Sequence, residues 1–142
     1  MLYLIRGLPG SGKTTLADDI ARTYGGKHYE ADMYFIGNDG EYRWDSRKIR
    51  EAHEWCQYST CNALENDNVV VVSNTFTTKK ELAPYFEMAL ARGITPVVYH
   101  CQNNWGNVHN VPPNTLEAMA KRFEYNLDSL FEKHENELKQ RT

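Results

Sequence analysis

Cysteine is scarce in this sequence, and the few present fall into no familiar pattern. Cys56, Cys61 and Cys101 are odd in number and show no CxxC spacing, which argues against a disulfide framework and against a zinc site. They read as reduced thiols of a cytoplasmic protein, with Cys56 and Cys101 as core residues. Positive charge is not in excess either. Lys and Arg number 16 against 19 Asp and Glu, for a net charge of −3. That balance excludes a protein that coats nucleic acid by bulk electrostatics, but not a local basic patch. No apolar run approaches the roughly 20 residues of a membrane-spanning helix. The opening Met1-Leu2-Tyr3-Leu4-Ile5-Arg6 lacks the basic start and small-residue cleavage site of a signal peptide, and none is expected. Internal repeats and low-complexity blocks are absent too. What is present is the composition of one folded domain over residues 1–142, with 41% hydrophobic and 25% charged residues.

Strand-like and helix-like segments alternate along the chain, which predicts an α/β fold with a mostly parallel sheet. Leu2–Arg6 reads as a strand and Lys13–Tyr24 as a helix ended by Gly25-Gly26. His28–Ala31 is a short second strand, and Gly37-Asn38-Asp39-Gly40 a turn. A helix capped by Asp45 or Ser46 runs to about Asn66, with Ile49, Ala52, Cys56, Thr60, Ala63 and Leu64 inward. Val69–Ser73 is a strand covered on both faces. Thr78-Lys79-Lys80-Glu81 fits a capping box, and Pro84 predicts a kink or restart in the helix that follows. Ile94–Cys101 is the fourth strand. Residues 102–114 read as a polar lid, with Asn104, Asn107 and His109 its notable side chains. One helix is expected over residues 115–139, on the period of Leu116, Met119, Phe123, Leu127, Leu130, Phe131 and Leu138.

The strongest signal is Gly7-Leu8-Pro9-Gly10-Ser11-Gly12-Lys13-Thr14, which matches the phosphate-binding pattern G-x-x-x-x-G-K-[ST]. It lies between a strand and a helix, as that pattern requires. The glycines let successive N–H groups turn inward around a phosphate, and the helix N-terminus adds partial positive charge. ATP with Mg²⁺ is the expected ligand. Residues 7–14 and Thr15 bind it, Lys13 reaches the β- and γ-phosphates, and Thr14 ligates the metal. The fold predicted with this loop is a three-layer P-loop NTPase of about four strands in the order 2-3-1-4.

The class of P-loop protein follows from what accompanies the loop. Motor-type ATPases and GTPases carry an acid at the end of a later strand, but Val69–Val72 ends in Ser73-Asn74-Thr75. The Asn-Lys-x-Asp motif that reads guanine is missing. A small phosphotransferase remains. Asp32, just past the second strand, shares the sheet edge with the loop and is expected to orient an acceptor hydroxyl as general base. The alternative is a turn-capping aspartate. Glu30 should turn to a face of the sheet. Asn74 and Thr75 read equally as groups that orient metal-bound water or the acceptor and as a helix-entry turn. Arg122 reads either as a phosphate-directed arginine or as a solvated one. His109 reads either as a substrate contact or as a structural hydrogen-bonding residue. Around Arg43, Trp44, Arg47, Lys48 and Arg50, aromatics and cations cluster at a helix start. That is what stacking on a base and holding its phosphates needs, and it is also what a solvated charged face looks like.

Several motifs together resemble the P-loop kinases related to polynucleotide kinase and zeta toxin. They are residues 4–17, then Ala31-Asp32-Met33-Tyr34-Phe35, Ala52-His53-Glu54-Trp55-Cys56, Val72-Ser73-Asn74-Thr75-Phe76 and His109-Asn110-Val111-Pro112. The set looks like the subgroup that includes phage-encoded 5-hydroxymethyluracil DNA kinases and the kinase-like domain of a ubiquitin-ligase-binding protein. The resemblance spans residues 2 to about 124. It implies ATP-dependent phosphorylation of a hydroxyl on nucleic acid, with Asp32 and Tyr34 on the acceptor side and DNA as partner. The hydroxymethyl group of a modified base is the first choice of acceptor. A 5′-hydroxyl end, a free nucleoside or other small alcohol, and a nucleotide-binding regulatory module with little turnover are the alternatives. The fifth strand of larger relatives is expected to be missing, and the lid has no clear arginine.

Overall fold

In the computed structural model, which describes residues 1–103 and 111–141, four short strands lie side by side in parallel. They are β1 (Leu2–Arg6), β2 (Lys27–Tyr29), β3 (Val70–Ser73) and β4 (Val97–His100), in the order β2-β3-β1-β4. This is the order expected from the sequence. Leu4 lies opposite Val72 on one side and Val98 on the other. The crossovers run through α1 (Lys13–Tyr24), α2 (Ile49–Asn66) and α3 (Lys79–Ala91), and α4 (Pro113–Arg122) and α5 (Asp128–Gln140) complete the chain. Short 3₁₀ turns at Ala31–Phe35 and Ser46–Lys48 precede α2.

Strand alternation sorts the core into two layers. Leu2, Leu4, Val70 and Val72 pack with Ala52 and Cys56 of α2 and with Leu82 and Phe86 of α3. Ile5, Val69 and Val71 pack on the other face, against Ala17 and Ala21 of α1. All four residues of β3 are buried, as a central strand covered on both sides requires. Because every strand is parallel, Gly7, Glu30, Asn74 and Cys101 all emerge from the same edge of the sheet, the edge at which open α/β sheets bind ligands. No described helix is long and apolar enough to cross a membrane.

Three expectations need correction. The single C-terminal helix is two helices, because the backbone leaves helical geometry at Phe123. There the buried ring lies 4.2 Å from the Arg6 guanidinium and 4.8 Å from the His100 ring, and the Glu124 N–H donates to the Thr77 carbonyl at 2.7 Å. These contacts replace the next helical turn. After the break, α5 returns onto α3, with Phe131 5.0 Å from Phe86. Of the kink or restart expected at Pro84, the restart does not occur, because α3 is one helix from Lys79 to Ala91 behind the expected Thr78–Glu81 capping box. Ile49 is exposed, while Ala52, Cys56, Thr60 and Ala63 form the buried stripe of α2.

Candidate phosphate and acceptor site

The glycine-rich loop is shaped by close approach. A Cβ on Gly7 would fall 2.4 Å from the Ser11 hydroxyl oxygen and 2.6 Å from the Cys101 carbonyl, so no side chain fits where the loop leaves β1. Gly10 and Gly12 take positive φ of 82° and 94°, the left-handed region that glycine enters freely. Within the loop Ser11 N–H donates to the Leu8 carbonyl at 3.1 Å, and Pro9 spans the turn between them. The Ser11 hydroxyl is buried and has no hydrogen-bond partner among the described residues. An orphaned buried hydroxyl inside a ring of N–H groups fits a polyphosphate ligand. Lys13 Nζ donates to the Leu8 carbonyl at 3.0 Å, so its ammonium is folded over the loop. Burial lowers the Lys13 pKa, while the negative charges of Glu30 and Asp32, with Cys101, pull it back up. Both carboxylates therefore lie within electrostatic reach of the loop lysine. Thr14 and Thr15, which follow it, are exposed at the start of α1.

Glu30 is the residue that sequence reasoning passed over. It turns to a face of the sheet as strand alternation demands, but that face is the one covered by α1, whose first turn carries Thr14. The Thr14 hydroxyl donates to Glu30 Oε1 at 2.5 Å, and the Ser73 hydroxyl donates to the same oxygen at 2.7 Å. His28 Nε2 lies 3.5 Å from it. Burial pushes the Glu30 carboxyl up, yet the hydrogen bonds from His28, Thr14 and Ser73 outweigh it and bring the pKa down to about 2. Thr14 and the carboxylate fixed on it are oxygen donors suited to Mg²⁺, and Ser73, which stands where an acid is absent at the end of β3, holds that carboxylate. The alternation that placed Glu30 and His28 on one face was readable. That the same face belongs to α1 was not.

Asp32 lies in the 3₁₀ turn after β2, on the same edge. Asn74 fixes this turn from β3, since its Oδ1 accepts the Ala31 N–H at 2.9 Å and its Nδ2 donates to Cys56 Sγ at 3.7 Å. Asn74 thereby ties the end of β3 to the Asp32 turn. Thr75 gives its carbonyl to the Gly7 N–H at 3.2 Å. Tyr42 reaches Asp32 with a 3.4 Å hydrogen bond. Burial, the Asp32 charge and this bond raise the phenol to about 12, so Tyr42 stays a donor. Tyr34 donates to Glu51 Oε2 at 2.9 Å and packs its ring 6.1 Å from Trp55.

The basic cluster is less basic in three dimensions than in sequence. Arg43 makes a two-pronged pair with Asp39 at 3.1 and 2.6 Å, and Arg47 pairs with Asp45 at 3.1 Å on both contacts. Asp45 also caps the 3₁₀ turn by accepting the Arg47 N–H at 3.0 Å. Arg50 pairs with Glu54 at 3.3 Å. Arg43, Arg47 and Arg50 are thus each matched by a neighbouring acid. What they frame is a cleft of about 820 Å³ lined by Tyr34, Phe35, Arg43, Trp44, Arg47 and Lys48, with Trp44 exposed. Arg122, the last residue of α4, donates from Nε to the Thr77 hydroxyl at 3.1 Å. This anchors it to the loop between β3 and α3. Asn104, Asn107 and His109 lie outside the described residues, so the expected lid contacts are not placed.

Comparison with known proteins agrees with this architecture. A family model described as an AAA domain, AAA_33, matches residues 2–110. The chain is 28% identical over 131 residues to the uncharacterized protein PM0531 of Pasteurella multocida, covering 83% of this chain and 73% of that one. It is 29% identical over 136 residues to NEDD4-binding protein 2 of Homo sapiens. That match covers 87% of this chain but only 8% of the human protein. Among solved structures, Kti12 of Chaetomium thermophilum in complex with ADP-AlF3 has a TM-score of 0.66 at 13% identity, covering 89% of this chain and 82% of that one. A gluconokinase from Sinorhizobium meliloti gives 0.58 at 15%, with 97% and 91% covered. A chain of the Pnkp1/Rnl/Hen1 RNA repair complex gives 0.56 at 19%, with 98% and 44% covered. These likenesses establish the fold.

Proposed function

Because this chain belongs to the AAA domain family AAA_33, we propose that it is an ATP-dependent kinase whose acceptor is a hydroxyl group on nucleic acid, first of all the hydroxymethyl group of 5-hydroxymethyluracil in DNA. One observation carries the reading. The glycine loop with Lys13 and Thr14 shares a sheet edge with an aspartate whose turn is held by Asn74 and whose carboxylate accepts from Tyr42. A nucleotide-binding module has no need of such a carboxylate, whereas a kinase acting on an alcohol does.

In this reading the loop N–H groups and the Ser11 hydroxyl take the β-phosphate, and Lys13 exchanges the Leu8 carbonyl for phosphate oxygen. Thr14 and Glu30 would hold Mg²⁺, which when bound neutralises phosphate charge. Asp32 accepts the proton of the acceptor hydroxyl as its oxygen bonds to the γ-phosphorus, and the bond from that phosphorus to the bridging oxygen of ADP breaks. Tyr42 keeps Asp32 oriented. Trp44 offers a ring for a base, with Arg43, Arg47 and Lys48 beside it.

The ion pairs of Arg43 and Arg47 favour a second reading, a kinase for a free nucleoside or another small alcohol. A cleft whose cations are already matched grips a polyanion less. The test is transfer of labelled γ-phosphate from ATP to DNA carrying 5-hydroxymethyluracil, to 5′-hydroxyl DNA and to free nucleosides. Label is expected on the modified DNA and absent with Lys13→Ala or Asp32→Asn. Label on 5′-hydroxyl DNA alone, or on a nucleoside alone, selects that acceptor instead. Transfer to none of them would remove nucleic acid and nucleosides as acceptors and leave another small alcohol or a nucleotide-binding module. Full activity in Asp32→Asn would remove Asp32 as the base.

A further inference from the structure

His28 is a histidine on a short strand with its side chain only 7% exposed, and both ring nitrogens are engaged. Nδ1 lies 2.7 Å from Asp18 Oδ1, and Nε2 lies 2.7 Å from the Ser73 hydroxyl and 3.5 Å from Glu30 Oε1. Donor arithmetic fixes the directions. Asp18 can only accept, so Nδ1 donates to it. The single hydroxyl proton of Ser73 goes to Glu30, so Ser73 oxygen accepts from Nε2. Asp18 stands one helical turn after Thr14 on α1, on the same side of the helix. The contacts therefore close a ring: Thr14 to Glu30, Glu30 through Ser73 to His28, His28 to Asp18, and Asp18 back along α1 to Thr14. The contacts that this ring makes with Glu30 all fall on Oε1. Oε2 is the oxygen that the ring leaves available.

We propose that His28 is a positioning residue of the phosphate site. Through Ser73, and with Asp18 behind it, His28 holds Glu30 so that one carboxylate oxygen binds the Thr14 hydroxyl and the other serves the cation that accompanies the nucleotide. This rests on the nucleotide-binding part of the reading above and not on the identity of the acceptor. A ligating or near-ligating carboxylate that is free to rotate binds a metal less well, and loss of such supporting bonds costs about 10–100-fold in metal affinity. Asp18 and His28 stand behind Glu30, so their effect should appear only when the cation is present.

The experiment measures the affinity of a fluorescent ATP analogue with Mg²⁺ and again in EDTA, with a thermal melt for each protein. His28→Ala is expected to weaken binding in Mg²⁺ by about tenfold and to leave binding in EDTA unchanged. Ser73→Ala changes little volume and cuts the same ring, so it keeps the test open if His28→Ala fails to fold. It should shift the Mg²⁺ value in the same direction. His28→Gln, which retains one donor, should recover part of the loss. An equal loss in Mg²⁺ and EDTA, or a lower melting temperature with both affinities intact, would make His28 merely structural and overturn the proposal. Failure of the wild-type chain to bind nucleotide under either condition would overturn it too. Nucleotide binding with a Mg²⁺-specific effect but no phosphate transfer would sink the kinase reading alone.

Discussion

Glu30 acquires its place in the site from three neighbours rather than from its own burial, and each can be removed singly. Its carboxyl titrates near 2 in the folded chain against an ordinary 4.5. A depressed acid contributes stability above its unfolded pKa and loses it as pH falls through the folded one. His28 runs the opposite way. Burial lowers its pKa, but the bonds and charges of Glu30 and Asp18 raise it above 6.5. Its contribution is complete below 6.5 and disappears as pH rises through the folded value. The pair is therefore most effective between about 4.5 and 6.5. Glu30→Gln should lower the melting temperature across that window, and the deficit relative to wild type should shrink as pH falls from 4.5 toward 2. A deficit independent of pH would show that the carboxylate charge is not what the neighbours stabilise. At pH 7, Glu30→Gln should also reduce kcat more than Glu51→Gln does, because Glu51 accepts the Tyr34 hydroxyl away from the glycine loop.

At the scale of elements, the segment joining β3 to α3 connects the two halves of the site. Asn74 holds the Asp32 turn. Phe76 accepts a positive φ of 46°, rare for a non-glycine residue, while its carbonyl takes two N–H donors from the buried Arg6. Thr77 donates to Glu81 and accepts from Arg122. Asn74→Ala leaves the Ala31 N–H without its buried acceptor, a loss of about 1–3 kcal/mol. The KM for the acceptor should rise several-fold while the KM for ATP stays within twofold. An equal change in both would mean that Asn74 supports the loop and not the Asp32 turn. Phe123→Ala should cost about 3–5 kcal/mol in a denaturant melt, as removal of a buried ring does, because it also uncovers Arg6. The sequence carries the periodicity of α4 and α5 but not their break. Phe123 satisfies the helical period and the sheet-edge contact equally well, and only the position of Arg6 and His100 decides between them. The strands, their order and the capping box were legible because local pattern and parallel topology agree there. Glu30 was not, because its role depends on which helix covers one face of β2.

For the whole molecule the proposed function raises the question of how a chain of net charge −3 would select its acceptor. The cluster from Arg43 to Arg50 supplies cations that sequence spacing displays plainly. Their matching acids are just as close in sequence, but the turn at Gly37–Gly40 is what folds Asp39 back onto Arg43. These pairs are exposed, so each contributes little stability, and their main effect is on the local field. That makes them a sensitive probe. Replacing Asp39 and Asp45 together by Asn keeps the oxygens that accept the Glu41 and Arg47 N–H groups and removes two negative charges. If the acceptor is DNA, the double variant should lower its KM and steepen its dependence on salt, because each newly engaged phosphate adds about 0.7–0.9 to the logarithmic slope. Arg43→Ala with Arg47→Ala should do the reverse, and the KM for ATP should not move in either case. A neutral nucleoside releases no counterions, so its KM would stay flat across all three proteins and across salt. Flat behaviour with DNA as acceptor would place the polyanion elsewhere on the molecule and leave the cleft beside Trp44 to a small alcohol.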